Sequence, residues 1–148
     1  ATSAAFGYAA TAGLLATGGA DGAVRLWDAR RLRTVRTLRW EAEGFGGIGA
    51  VAHVEWSPFD EGVLAASCGS GHVLLWDLGR TGMRVPKADE RDGPPELLFV
   101  HGGHAGCSDA RVAWSTFAPW TLASCAAPEG SNLPEVHIWQ PAGVLVPR

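Results

Sequence analysis

Short apolar runs separated by glycine-rich turns recur along the chain, and three of them end in an indole: Ala23-Val24-Arg25-Leu26-Trp27-Asp28, His72-Val73-Leu74-Leu75-Trp76-Asp77 and Glu135-Val136-His137-Ile138-Trp139-Gln140. Each follows a second apolar run that ends in small residues: Leu14-Leu15-Ala16-Thr17-Gly18-Gly19, Val63-Leu64-Ala65-Ala66-Ser67-Cys68 and Trp120-Thr121-Leu122-Ala123-Ser124-Cys125. A third run precedes those, as Val54-Glu55-Trp56-Ser57-Pro58-Phe59, as Val112-Ala113-Trp114-Ser115-Thr116-Phe117, and as a weaker first copy, Ala5-Phe6-Gly7-Tyr8. After the indole comes a fourth, Thr34-Val35-Arg36-Thr37-Leu38-Arg39-Trp40 and then Glu96-Leu97-Leu98-Phe99-Val100. Runs this short, bulky and bounded by glycine predict strands.

Four short strands per repeat are the pattern of a β-propeller blade, so the fold class expected is all-β. The repeats fall at about 1–41, 42–103 and 104–148. Trp27, Trp76 and Trp139 lie farther apart than the usual blade period of about 40–45 residues. The excess is placed in an insertion over 78–95, where Pro86, Pro94 and Pro95 remove backbone donors and Lys87, Asp89, Glu90, Arg91 and Asp92 resist burial. Rings of this kind close with about 4–8 blades. The expectation is therefore three blades from the C-terminal part of a larger ring, with the last blade lacking its outer strand. Alone, such a chain is expected to be poorly stable or self-associating, because its end blades have no covering neighbour.

Charge alters this picture little. The net charge of −3 gives no argument by itself for nucleic acid as a partner, although half of the 12 basic residues fall in one stretch as Arg25, Arg30, Arg31, Arg33, Arg36 and Arg39. Their alternation with Leu32 and Leu38 fits a solvated outer strand guarded by charge. Cys68, Cys107 and Cys125 make no Cys-x-x-Cys pair, and two of them end apolar strands, which favours reduced thiols in cytosol or nucleus. No apolar run approaches the roughly 18 residues that cross a bilayer. His101 and His104 have only glycines between them and no further ligand at metal spacing. Neither Gly-x-Ser-x-Gly nor a phosphate-binding Gly-x-x-x-x-Gly-Lys is present. The expectation is no enzyme, no metal and no cofactor.

What the repeats supply instead is a structural hydrogen-bond network of the kind found in WD-repeat blades, joining a Gly-His turn, a second-strand hydroxyl, a tight-turn acid and the third-strand indole. Thr17, Asp21 and Trp27 fit it in the first repeat; His104, Ser124 and Trp139 fit it in the third. The second is degenerate: Ser67 and Trp76 remain, but Ser70 stands at the acid position and no Gly-His precedes Val54.

Several motifs then carry a closer resemblance. Leu15-Ala16-Thr17-Gly18, Val54-Glu55-Trp56-Ser57-Pro58, Leu74-Leu75-Trp76-Asp77-Leu78 and above all Asp92-Gly93-Pro94-Pro95-Glu96-Leu97-Leu98-Phe99-Val100-His101-Gly102-Gly103-His104 resemble the last three repeats of the retinoblastoma-binding, histone-binding WD-repeat proteins. That resemblance implies a seven-bladed WD-repeat propeller with a long N-terminal helix, a nuclear location, and service as a shared chaperone subunit of chromatin assembly, deacetylase, nucleosome-remodelling and Polycomb methyltransferase complexes. It further implies that a core-histone helix is held at the Pro-Pro loop. There Asp89, Glu90 and Asp92 would meet histone basic residues, Pro94 and Pro95 would limit loop entropy, and Val100 would contribute to an apolar floor. Glu129 would be an acid of a second, tail-binding face.

Some positions depart from the family pattern. Ala88 and Arg91 stand where acids are usual, which makes the loop less negative, and Ala50 and Ala52 replace an acidic and aromatic pair of the tail-binding face. The partners implied are core histones and other chromatin-complex subunits, with no direct nucleic acid and no membrane. The alternative is a general WD-repeat adaptor, in ribosome assembly or ubiquitin ligation, whose insertion serves another partner.

Overall fold

The computed structural model describes residues 1–7, 11–41, 47–84 and 93–143. The first sheet comprises β1 (Ser3–Phe6), β2 (Leu14–Gly18), β3 (Val24–Asp28) and β4 (Arg33–Leu38). The second holds β5 (Val51–Trp56), β6 (Val63–Cys68), β7 (Val73–Asp77) and β8 (Leu97–His101). Three strands make the last: β9 (Cys107–Trp114), β10 (Leu122–Pro128) and β11 (Glu135–Trp139). All three are antiparallel meanders in sequence order. Trp27, Trp76 and Trp139 each sit on the third strand of their sheet. Short antiparallel meanders packed in series are the blades of a β-propeller, and among the described residues no helix is long and apolar enough to cross a membrane.

The continuous apolar runs of the middle blade follow from burial on both faces. All six residues of β6 are buried, and they divide by parity. Leu64, Ala66 and Cys68 join Leu74 and Trp76 in a core shared with Ala16, Leu26 and Leu38 of the first blade. Val63 and Ala65 face the other way, with Val73 and Leu75, onto Val112, Trp114 and Leu122 of the third. The period-2 geometry of a strand thus sends alternate residues to different neighbours.

Inner strands are also locked across blades by a repeated indole bond. Trp56 Nε1 donates to the Ala5 carbonyl at 3.0 Å, and Trp114 Nε1 donates to the Glu55 carbonyl at 3.2 Å. The serine after each indole caps the following turn: Ser57 Oγ accepts from the Phe59 and Asp60 amides, and Ser115 Oγ from those of Phe117 and Ala118. One glycine is decisive at a blade junction. Gly71 has φ 80°, and a Cβ there would lie 1.8 Å from the His104 carbonyl oxygen, so only glycine lets the β6–β7 turn seat against the third blade.

Candidate functional site

Of the insertion over 78–95, Asp89, Glu90 and Asp92 lie outside the described residues. Its exit is well fixed. Gly93 has φ 128°, a region that side chains avoid, and a Cβ there would lie 2.7 Å from Leu97 and 3.1 Å from Trp40. Pro94 and Pro95 follow, half-buried, and the Leu97 amide donates to the Pro94 carbonyl at 2.9 Å. Glu96, 9% exposed, is held by Arg36 Nη1 at 2.6 Å, tying the loop exit to β4 of the first blade. Arg36, Arg39, Pro94 and Glu96 line a groove of about 440 Å³ along the two outer strands.

Val100 is half-buried and packs against the core between the first and second blades, so only part of its side chain is available as the floor of a partner site. Glu129 is exposed and borders a groove of about 400 Å³ between the second and third blades, opposite Gly69 and Ser70.

The arginine stretch is largely spoken for. Arg25 and Arg39 both pair with Asp21, at 2.5 and 2.8 Å; Arg36 pairs with Glu96, and Arg31 lies 4.0 Å from Asp28. The hydrogen bond from Arg25, helped by Arg39, holds the Asp21 carboxyl well below the usual carboxylate range. Asp21 therefore serves its own turn, where the Ala23 amide also reaches it, and stands apart from the indole network.

The remaining network residues meet in two blades and not in the third case. Trp27 Nε1 donates to Thr17 Oγ1 at 2.8 Å. In the last blade Ser124 Oγ accepts from Trp139 Nε1 at 3.0 Å and bonds His104 Nε2 at 2.9 Å. The expected Ser67–Trp76 pair does not form, and the sheet register explains why. Leu15 faces Trp27 and Leu122 faces Trp139 across their ladders, with Thr17 and Ser124 two residues further on; in the middle blade Leu64 faces Trp76, which places Ala66 at the hydroxyl position. Ser67 is one residue out of phase and points to the other neighbour, bonding the Ala110 carbonyl. Trp76 Nε1 is buried with no hydrogen-bond partner among the described residues.

Three histidines assemble at the second blade junction, and linear spacing does not predict the grouping. His137 on β11 faces Ser124 across the ladder and so lies beside His104, with His101 of β8 against both. Burial lowers the proton affinity of His101 and His104 below the ordinary imidazole value. Burial also raises two acids, Glu55 and Asp60, and pushes the Cys68 thiol up to about 12, consistent with an inert core thiol. All three cysteines are free.

A family profile described as WD domain, G-beta repeat, matches residues 2–28. The chain is 32% identical over 132 residues, 86% of its length, to histone acetyltransferase type B subunit 2 of Debaryomyces hansenii. It is 33% identical over 135 residues, 90% of its length, to the histone-binding protein MSI1 of Saccharomyces cerevisiae. A shorter match, 40% over 63 residues and 43% of the chain, is to the RbAp48-related WD40 repeat-containing protein prw1 of Schizosaccharomyces pombe. These alignments span 30%, 26% and 13% of the respective relatives. By shape, the chain is similar to one in a crystal structure of the mitotic checkpoint complex, at 21% identity and a TM-score of 0.64, covering 94% of this chain and 36% of that one. The resemblance carried by the Pro-Pro motif thus has homologues of that description along most of the chain.

Proposed function

We propose that these WD-repeat blades belong to a nuclear, non-catalytic histone-binding scaffold that serves chromatin assembly and modifying complexes. The observation that carries this reading is the similarity, over 86–90% of the chain, to relatives named as a histone-binding protein and a histone acetyltransferase subunit. Its partners are core histones and other subunits of those complexes, without cofactor, direct nucleic-acid contact or membrane attachment.

The insertion over 78–95 is the surface on which a histone helix docks, with Asp89, Glu90 and Asp92 facing its basic residues and Pro94 and Pro95 limiting the entropy lost on binding. Its anchoring favours such a role, since Gly93 against Trp40 and Glu96 against Arg36 hold the loop exit in one place beside the first blade. Carboxylates on a stiffened loop beside apolar surface suit a basic amphipathic helix.

The test is calorimetric titration of the intact protein with a core-histone helix peptide, comparing wild type with the double variant Asp89→Asn, Asp92→Asn. Loss of partly desolvated charge pairs costs about 2–5 kcal/mol, mostly as faster dissociation. Rim contacts would cost only about 0–1 kcal/mol. Arg33→Gln, on the outer face of β4, should bind as wild type. Unchanged affinity in the double Asn variant overturns the loop as the docking site. Failure of the wild-type protein to bind any core-histone helix overturns the histone reading itself.

A further inference from the structure

The insertion over 78–95 leaves and rejoins the second blade along two arms that a single side chain of the first blade holds together. Arg36 Nη1 donates to Thr81 Oγ1 on the entering arm and to Glu96 Oε1, at 2.6 Å, on the returning one. That nitrogen carries two hydrogens, so both bonds form at once. Register sets the direction. Arg36 lies opposite Leu26 in the β3–β4 ladder, and Leu26 packs against the second blade, so the guanidinium is delivered across the blade junction.

The contact begins where backbone pairing stops. The Asp77 amide donates to the Glu96 carbonyl at 2.8 Å at the end of the β7–β8 ladder. Beyond that rung the entering arm turns away: Asp77 Oδ1 accepts from the Gly79 amide at 2.8 Å to start a short 3-10 helix over Leu78–Arg80, and the Thr81 amide bonds the Leu78 carbonyl at 3.2 Å. The returning arm is fixed by other means, with Gly93 against Trp40 and the Leu97 amide on the Pro94 carbonyl. Arg36 then supplies the next cross-link between the arms. Thr81 is exposed, whereas Arg36 is half-buried and Glu96 is 9% exposed. The Thr81 bond can therefore be removed without stranding a buried charge.

We propose that Arg36 is a positioning residue for the partner site: by bonding Thr81 and Glu96 together it fixes the spacing of the two arms, and so sets how readily a histone helix docks on the insertion. This rests on the reading of the insertion as the histone-docking surface. Arms held at one spacing lose less freedom on binding, so the clasp acts on association rate and binding entropy and not through a contact to the helix.

The experiment combines calorimetric and stopped-flow titration of the intact protein with a core-histone helix peptide, and hydrogen exchange of the free protein at the Thr81, Met83 and Leu97 amides. Thr81→Val keeps the shape and removes the acceptor while leaving Arg36 on Glu96. It should weaken binding by about three- to tenfold, the worth of one hydrogen bond, mainly through slower association and a less favourable entropy. Exchange at the three amides should quicken with little change in melting temperature. Thr81→Ser restores the oxygen and should bind within about twofold of wild type. Thr34→Val, on the same strand opposite Trp27, should bind as wild type. In an Arg36→Met, Glu96→Met background, where both buried charges go together, Thr81→Val should have no further effect. Wild-type affinity in Thr81→Val overturns the positioning role, as does an undiminished effect of Thr81→Val in the double-Met background or a failure of Thr81→Ser to rescue. If the wild-type protein binds no core-histone helix, the docking reading falls and exchange alone decides the clasp: unchanged rates in Thr81→Val overturn it, and faster rates on both arms show that Arg36 sets their spacing.

Discussion

Ala66→Ser should stabilise the protein, an unusual expectation for a polar substitution at a position with no exposed surface. In the first and last blades the residue two beyond the partner of the repeated indole carries the hydroxyl that the indole bonds, at 2.8 and 3.0 Å. Ala66 holds that place in the middle blade, and Trp76 Nε1, 1% exposed on Trp76, points into the core without an acceptor. Leaving a buried donor unpaired costs about 1–3 kcal/mol, and the serine hydroxyl must itself be desolvated at a comparable cost, so the net gain is about 0.5–1.5 kcal/mol. Serine adds a single atom, which keeps overpacking small. The measurement is urea unfolding followed by tryptophan fluorescence. Ala65→Ser is the control: its side chain turns toward Val112, Trp114 and Leu122 of the third blade, where Trp114 Nε1 already bonds the Glu55 carbonyl, and a hydroxyl there should destabilise by about 1–3 kcal/mol. In a Trp76→Phe background the gain from Ala66→Ser should vanish, which isolates the pair as a coupling term. Equal destabilisation by serine at positions 65 and 66 would refute the register argument.

Ser124→Ala should cost about 2–4 kcal/mol, since it strands His104 Nε2 in the core and removes the acceptor of Trp139 Nε1, both read by the same unfolding assay. Trp114→Phe, which deletes the bond to the Glu55 carbonyl and leaves a gap between blades, should cost about 1–3 kcal/mol and broaden the unfolding transition as the third blade uncouples. Arg36→Met should cost about 1–3 kcal/mol by leaving the buried Glu96 carboxylate unpaired, and hydrogen exchange should then rise first near Pro94–Leu97. His101 and His104 are held neutral by burial, with proton affinities below the ordinary 6.5. Their contribution is complete above that value and is lost as the pH falls below it, because the unfolded chain binds the protons first. Melting temperatures should therefore drop as the pH falls below about 6.5, more steeply for wild type than for His101→Gln.

The strands were legible because each carries a short apolar run closed by glycine, and a blade flanked on both sides has apolar residues on both faces. The first strand and the two outer strands fall within a few residues of where the runs place them, Ser3–Phe6, Arg33–Leu38 and Leu97–His101. What composition does not carry is phase. Ser67 looks equivalent to Thr17 and Ser124 when the runs are aligned by their small residues, yet a slip of one residue turns the hydroxyl to the opposite neighbour. The histidine cluster escaped for a related reason, since His137 is remote in sequence from His101 and His104. A signal was present: the residue opposite Ser124 in the ladder has to lie beside whatever Ser124 bonds, and that residue is His137.

The missing hydroxyl sits in the blade best able to tolerate its loss. Leu64, Leu74 and Leu75 are all at most 1% exposed, and each contributes about 1.5–3 kcal/mol by burial, so together they outweigh one orphaned indole donor several-fold. The final strand has no such reserve. On β11 Val136 and Ile138 are 64% and 78% exposed, so that strand is held by its ladder to β10, the Trp139–Ser124–His104 relay and the histidine stack. Polar contacts thus carry a larger share of the binding energy where apolar burial is least, and a loss at Ser124 has to exceed the gain available at Ala66.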